Sequence, residues 1–180
     1  MGKFVHAPGN GSGSTSAGFL SRFNPDRETD FGIIRTDMAD SEQTTEAFPT
    51  LAELLPQAKP MILLTDYEPP AADGSVTAFV DIDAESPFFD ATQGGVPGCV
   101  SLEYMAQAMA LCTGLHRRRQ GLRPKLGFVL GSRRLEISIP LFVPGCRYRV
   151  RVSCVYTDES FGSFDCEICG PSGAVVAKAQ

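Results

Sequence analysis

A chain of 180 residues is long enough for one domain with a full core, and its net charge of −5 argues against general nucleic-acid binding. No apolar run approaches the roughly 20 residues needed to cross a bilayer, and the N-terminus lacks the apolar core of a signal peptide, so a cytoplasmic location is expected. Six cysteines (Cys99, Cys112, Cys146, Cys154, Cys166 and Cys169) lie mostly within predicted helix or strand and read as buried free thiols in a reducing compartment. Cys166-x-x-Cys169 has the spacing of half a zinc site, but no second pair and no nearby histidine complete it.

Residues 1–37 have linker composition, with Gly9-Asn-Gly-Ser-Gly-Ser-Thr-Ser-Ala-Gly18 at their centre, and are expected to be a disordered leader. Met38 is a candidate native start, which would leave a single domain over 38–180. Thr50 to Leu55 predicts a short helix: Thr50 suits the N-cap, Glu53 completes a capping box, and Pro56 ends it. Met61–Tyr67 and Ser75–Ile82 predict two strands around the turn Pro69–Gly74. A loop over 83–95 then leads into the most informative stretch of the chain.

That stretch, Gly94 to Gly114, predicts a helix with Pro97 in its first turn and Gly114 as its stop. Val100, Met105, Ala106, Ala108, Met109 and Cys112 spread over most of its circumference, so the helix should be buried on all sides. Glu103 and Gln107 interrupt this apolar surface four residues apart, stacked on one face. A carboxylate facing a core costs several kcal/mol unless it is paired or useful, which marks Glu103 as a candidate. The bland alternative is a structural carboxylate bonded to loop amides.

Beyond the helix comes a basic loop containing Arg117, Arg118, Arg119, Arg123 and Lys125. Leu126–Ile139 predicts a long strand with a bulge at Gly131-Ser132. Arg147–Tyr156 predicts an alternating strand, and Ser160–Ile168 with Ala174–Lys178 a final hairpin. One buried helix between a hairpin and an antiparallel meander makes an α+β domain with a curved sheet.

Three local matches give this layout a family resemblance. They are Leu54-Leu-Pro with Pro60-Met-Ile-Leu-Leu-Thr-Asp; Pro87-Phe-Phe with Val96-Pro-Gly and Leu102-Glu-Tyr-Met-Ala-Gln107; and Val143-Pro-Gly145 with Arg147-Tyr-Arg-Val-Arg-Val152. Together they cover residues 50–180, and the chain resembles the hotdog-fold 3-hydroxyacyl-ACP dehydratases. It is most similar to the dehydratase-like members of aryl-polyene clusters. The resemblance implies an antiparallel sheet wrapped around one long central helix, and Glu103 as the catalytic carboxylate. It further implies that Gly98 and Cys99 offer amides to the thioester carbonyl, as a helix N-terminus can, and that Gln107 orients Glu103 or lines an acyl tunnel. Phe88, Phe89, Met105 and Met109 are expected either to line that tunnel between subunits or, equally, to be core. No metal or separate cofactor is expected; the acyl group arrives on the phosphopantetheine of an acyl carrier protein. The basic cluster Arg117, Arg118, Arg119, Arg123 and Lys125 would meet that acidic carrier, although such clusters are usually ordinary solvated surface.

One departure limits the resemblance. The family's loop histidine, which acts as the base, is missing from Ser86–Pro97, where Ser86, Phe89 or Thr92 stands in its place depending on the spacing counted. Asp90 is a weak candidate for a second carboxylate, though Ser86, Asp90 and Thr92 are more commonly turn residues. The two histidines of the chain are His6 and His116. His116 is thirteen residues beyond Glu103, about 20 Å along a helix. Three functions follow: a dehydratase working with a different base as a homodimer or as half of a heterodimer with a histidine-bearing paralogue, a hotdog thioesterase, or a non-catalytic subunit that binds acyl-ACP.

Overall fold

A computed structural model describes residues 48–158 and 161–180; the expected leader and the candidate start at Met38 lie outside them. The described residues belong to one unit, Thr45–Gln180. A four-residue helix α1 (Leu51–Leu54) comes first, and the Glu53 carboxylate accepts hydrogen bonds from the backbone N–H and hydroxyl of Thr50. The strands are β1 (Asp66–Tyr67), β2 (Val76–Asp81), β3 (Val96–Pro97), β4 (Leu135–Ile137), β5 (Leu141–Phe142), β6 (Arg147–Thr157), β7 (Gly162–Cys169) and β8 (Val175–Ala179). A 3₁₀ turn, Gly98–Val100, precedes the long helix α2 (Ser101–Arg119).

Six strands form one antiparallel sheet in the order β1-β2-β6-β7-β8-β4, and β3 pairs with β5 separately. Alternation along the strands decides which face meets α2, because successive side chains point to opposite sides. Val76, Ala78 and Val80 of β2 turn inward with Tyr148, Val150 and Val152 of β6, Cys166 and Ile168 of β7, and Ala177 of β8. Tyr104, Met105, Ala108 and Leu111 of α2 fill the space beneath them. The sheet therefore wraps one long helix, as the α+β hotdog reading expects.

The helix itself is longer than predicted. Gly114 is not its stop but a point of close approach: a Cβ there would lie 2.3 Å from the carbonyl oxygen of Leu54, so α1 crosses α2 directly on its backbone. The stop is Gly121, at φ +71°, where the Gly121 N–H reaches the Arg118 carbonyl and the Leu122 N–H reaches the Arg117 carbonyl. This paired pattern closes a helix with a left-handed glycine. Arg117, Arg118 and Arg119 consequently belong to the last turn of α2, where cations complement the helix dipole, rather than to a loop. Pro97 lies in β3, paired with Leu141, ahead of the helix.

Two predicted strands are shorter than expected, each for lack of a neighbouring backbone. Of Met61–Tyr67 only β1 is a strand, although Thr65 still donates its N–H to the Phe79 carbonyl. Of Leu126–Ile139 only β4 forms, paired with β8, and the expected bulge at Gly131-Ser132 does not occur. Among the described residues, no backbone hydrogen bond joins Leu126–Leu130 to another segment. Leu126, Phe128 and Leu130 are 63%, 79% and 91% exposed, an apolar run left open beside the β4 edge.

Candidate active site

Glu103 sits in the first turn of α2, half-buried, on the same side of the helix as Gln107. Gln107 is fully buried and all of its amide is engaged. Its Oε1 accepts the Leu63 N–H at 2.8 Å; its Nε2 donates to the Met61 carbonyl at 2.8 Å and to Glu103 Oε1 at 2.9 Å. The helix thus supplies both the carboxylate and the group that holds it. Of the two roles expected for Gln107, the contacts match orientation.

The start of the helix differs from the sequence-based expectation at Gly98. Its N–H donates to the Pro140 carbonyl at 2.7 Å, so it is not available to a thioester. A Cβ at Gly98 would meet the Ile139 carbonyl oxygen at 2.3 Å, so glycine is required there by the 139–140 backbone running close against the turn. Cys99, next in the 3₁₀ turn, is exposed. Nearby, the Tyr104, Phe142 and Tyr148 rings meet edge to face at 5.2 and 4.8 Å, and the Val143 N–H donates to the Tyr148 hydroxyl at 3.0 Å. This aromatic stack fixes the segment that holds Gly98; nothing in the periodicity of the sequence singled it out.

The loop before the helix is tied to itself. The Ser86 hydroxyl donates to Asp83 Oδ1 and accepts the Asp83 N–H, closing a turn. Asp90 Oδ1 accepts from the Thr92 N–H, the Thr92 hydroxyl and the Gln93 N–H, while Oδ2 accepts from the Gln93 side chain. Those bonds, led by the Thr92 hydroxyl, hold the Asp90 carboxyl down at about 2. A carboxylate so weakly basic, with both oxygens engaged in its own loop, is unsuited to take a proton from carbon. The candidate roles of Ser86 and Asp90 at the substrate thus give way to the turn reading. Phe89 is half-buried against the core, whereas Phe88 is 49% exposed at φ +69°, a conformation few non-glycine residues adopt. Met105 is a core residue with no exposure, so it does not line an open tunnel; Met109 lies half-buried on the more open side of α2.

At the far end of α2 the basic residues are mostly exposed. Arg117 Nε donates to the Arg123 carbonyl at 2.7 Å, and Arg118 approaches Glu53 at 3.8 Å. Arg119, Arg123 and Lys125 are exposed. His116 is exposed too, its Nε2 3.0 Å from the Gln120 side-chain nitrogen, and it belongs to the opposite end of the helix from Glu103. All six cysteines are free, but Cys166 and Cys169 are the two that are buried; Cys99 and Cys154 are exposed. Burial pushes the Cys112 and Cys166 thiols up to about 11 and about 12, so neither is a thiolate nucleophile at neutral pH. Among the described residues no group of His, Cys, Asp or Glu side chains could hold a metal ion, and no helix is long and apolar enough to cross a membrane.

Comparison with known proteins completes the picture. The dehydratase heterocomplex ApeI:P from Xenorhabdus doucetiae contains a chain 28% identical to this one, matched over 73% of this chain and 89% of that chain with a TM-score of 0.67. The PaaI protein of the E. coli phenylacetic acid degradation operon is 15% identical over 63% of this chain and 77% of its own, with a TM-score of 0.48. A hypothetical thioesterase of Streptococcus pneumoniae TIGR4 with coenzyme A is 18% identical over 63% and 79%, with a TM-score of 0.47. Those two likenesses are too distant to bear on activity. No curated protein matches the sequence. Residues 49–180 match the ApeP-like family, described as ApeP dehydratase, across every element described above. The chain belongs to the ApeP-like family of dehydratases.

Proposed function

We propose that this chain contributes Glu103 as the proton donor in the dehydration of a 3-hydroxyacyl group carried on an acyl carrier protein, in aryl-polyene or related fatty-acid biosynthesis. A second hotdog subunit bearing a histidine supplies the base. The observation that carries this reading is a carboxylate held by Gln107 at the head of α2 with no histidine near it among the described residues. Elimination of water needs two groups: one to take the α-carbon proton and one to protonate the departing hydroxyl. The C–H electron pair becomes the new double bond, the α-proton passes to the partner's imidazole, and Glu103 releases its proton to the leaving water.

Two further features support a partner. ApeI:P is a heterocomplex, and this chain leaves the apolar run Leu126–Leu130 unpaired beside its β4 edge. A strand from another subunit would satisfy those backbone groups and cover Phe128 and Leu130. The cations Arg117, Arg118, Arg119, Arg123 and Lys125 at the end of α2 suit the acidic carrier protein and its phosphopantetheine phosphate.

The test is turnover of a synthetic 3-hydroxyacyl-ACP, followed by absorbance of the enoyl product, with the chain alone and mixed with a histidine-bearing hotdog paralogue. Activity only in the mixture, abolished by Glu103→Gln in this chain, is the expected result. Full activity of the mixture carrying Glu103→Gln would reduce this chain to a binding subunit, and release of free acid would make it a thioesterase.

A further inference from the structure

We propose that Met61 is the side chain against which the substrate's acyl chain lies as it leaves the reacting carbons, and that it gives the site a preference for long apolar acyl groups over short ones. The inference rests on the assignment of Glu103 to proton donation and adds the class of acyl group that this site selects.

Placement carries the inference. The Met61 carbonyl and Glu103 Oε1 accept from the same nitrogen, Gln107 Nε2, at 2.8 and 2.9 Å, so the Met61 backbone and the carboxylate lie side by side. Leu63, two residues on, donates its N–H to the other end of that amide at 2.8 Å, which fixes the whole segment against α2. Ile62 packs on the core and Leu63 and Leu64 are buried, yet Met61 is 42% exposed. A lone exposed apolar side chain is ordinary on a protein surface. This one stands on backbone locked to the proton donor, where an apolar chain must pass. The residues first expected along the acyl path do not take that place: Met105 is closed into the core, and Phe88 is held out on a loop tied to itself.

The chemistry of the substrate sets the length dependence. A 3-hydroxyacyl thioester carries its hydroxyl on the third carbon, and the acid that protonates the hydroxyl must lie within hydrogen-bond reach of it. Carbons beyond the fourth therefore run past the neighbours of Glu103, of which Met61 is one. In a four-carbon acyl group nothing extends beyond the reacting carbons, so nothing is left to cover Met61. In a longer chain each methylene laid on the thioether removes apolar surface from water. An unbranched, polarisable side chain also adapts to chains of different shape.

The experiment compares 3-hydroxydecanoyl-ACP with 3-hydroxybutyryl-ACP in the complex of this chain with its partner subunit. Met61→Ala keeps the carbonyl that Gln107 uses and removes the thioether. It should lower kcat/KM for the longer substrate about tenfold, mainly through KM, and for the shorter one less than about twofold. Met61→Leu restores apolar volume and should recover most of the long-chain preference. Should Met61→Ala not fold, Met61→Gln replaces it, keeping length but placing an amide where the chain would lie; the preference should again fall about tenfold. Equal losses on both substrates, or no loss on either, would overturn the inference and leave the role of Glu103 intact. So would a complex that dissociates on size-exclusion chromatography when it carries Met61→Ala, which would make Met61 a subunit contact. Full activity of Glu103→Gln would instead overturn the functional reading beneath it.

Discussion

The two ends of α2 are built on opposite principles. At the N-terminal end polar groups are few and mostly buried, and those around Glu103 are held tightly: the Gly98 N–H by Pro140, Gln107 by Met61, Leu63 and Glu103, while the buried Ser101 hydroxyl alone lacks a partner among the described residues there. At the C-terminal end charges are many and mostly exposed, and apart from the 2.7 Å bond of Arg117 to the Arg123 carbonyl their contact is loose, with Arg118 and Glu53 both half-exposed at 3.8 Å. An exposed pair of that kind is worth at most about 1 kcal/mol and weakens with salt. One end holds an atom in place. The other presents a sign of charge over an area, which tolerates motion. Chemistry requires the first arrangement and encounter with a soluble partner requires only the second.

The contrast can be broken most severely at Glu103. Glu103→Gln, assayed in the complex, should lose about 10²- to 10⁴-fold in kcat with little change in melting temperature, since the amide is isosteric. Next come the glycines that shape each end. Gly98→Ala pushes a Cβ to 2.3 Å from the Ile139 carbonyl oxygen and should cost about 1–3 kcal/mol in denaturant unfolding, together with activity. Gly121→Ala meets no neighbour but must hold φ +71°, so it should cost about 1–2 kcal/mol and leave kcat alone. Reversing Arg117, Arg118 and Arg119 to Glu should raise KM for a carrier-bound substrate about tenfold at low salt, less at high salt, with kcat unchanged. The smallest effect is at Asp90. Its carboxyl is lowered from the usual 3.8 to about 2, so its contribution to stability is complete above pH 3.8 and disappears as pH falls through about 2. Acid unfolding of Asp90→Asn should accordingly lack that part of the wild-type loss between those pH values.

Sequence made the sheet legible wherever both neighbours of a strand lie within the chain. Val76–Asp81 and the first six residues of β6, 147–152, alternate because each has one face against the core and one towards water. It misread Leu126–Ile139, since β propensity describes a segment while a ladder needs a second backbone, and Leu126–Leu130 has none within the described residues. Gly114 and Gly121 show the same limit. Both resemble helix stops, and only the packing of α1 over Gly114 distinguishes a close contact from a cap. At the site, Glu103 and Gln107 could be picked out by their spacing in an apolar helix. Their link to Met61 and Leu63 could not, because it joins residues 44 and 46 positions apart through one side chain. The amides of Gly98 and Cys99 were expected from the family resemblance and the polarity of a helix N-terminus, neither of which says anything of the Pro140 carbonyl already bonded to the first of them.

The open run Leu126-Gly-Phe-Val-Leu130 also bears on how this protein can be made. It contains no charge and no proline, it lies outside any helix or strand, and its backbone makes no hydrogen bond to another segment among the described residues, which are the features of a segment that stacks into aggregates. Lys125 on one side and Arg133 and Arg134 on the other act as charged gatekeepers, but the seven residues between them carry no charge. A chain produced alone is therefore expected to precipitate or self-associate through this edge as its concentration rises. Synthesis alongside a subunit that covers the run should raise the soluble yield before any catalysis is measured.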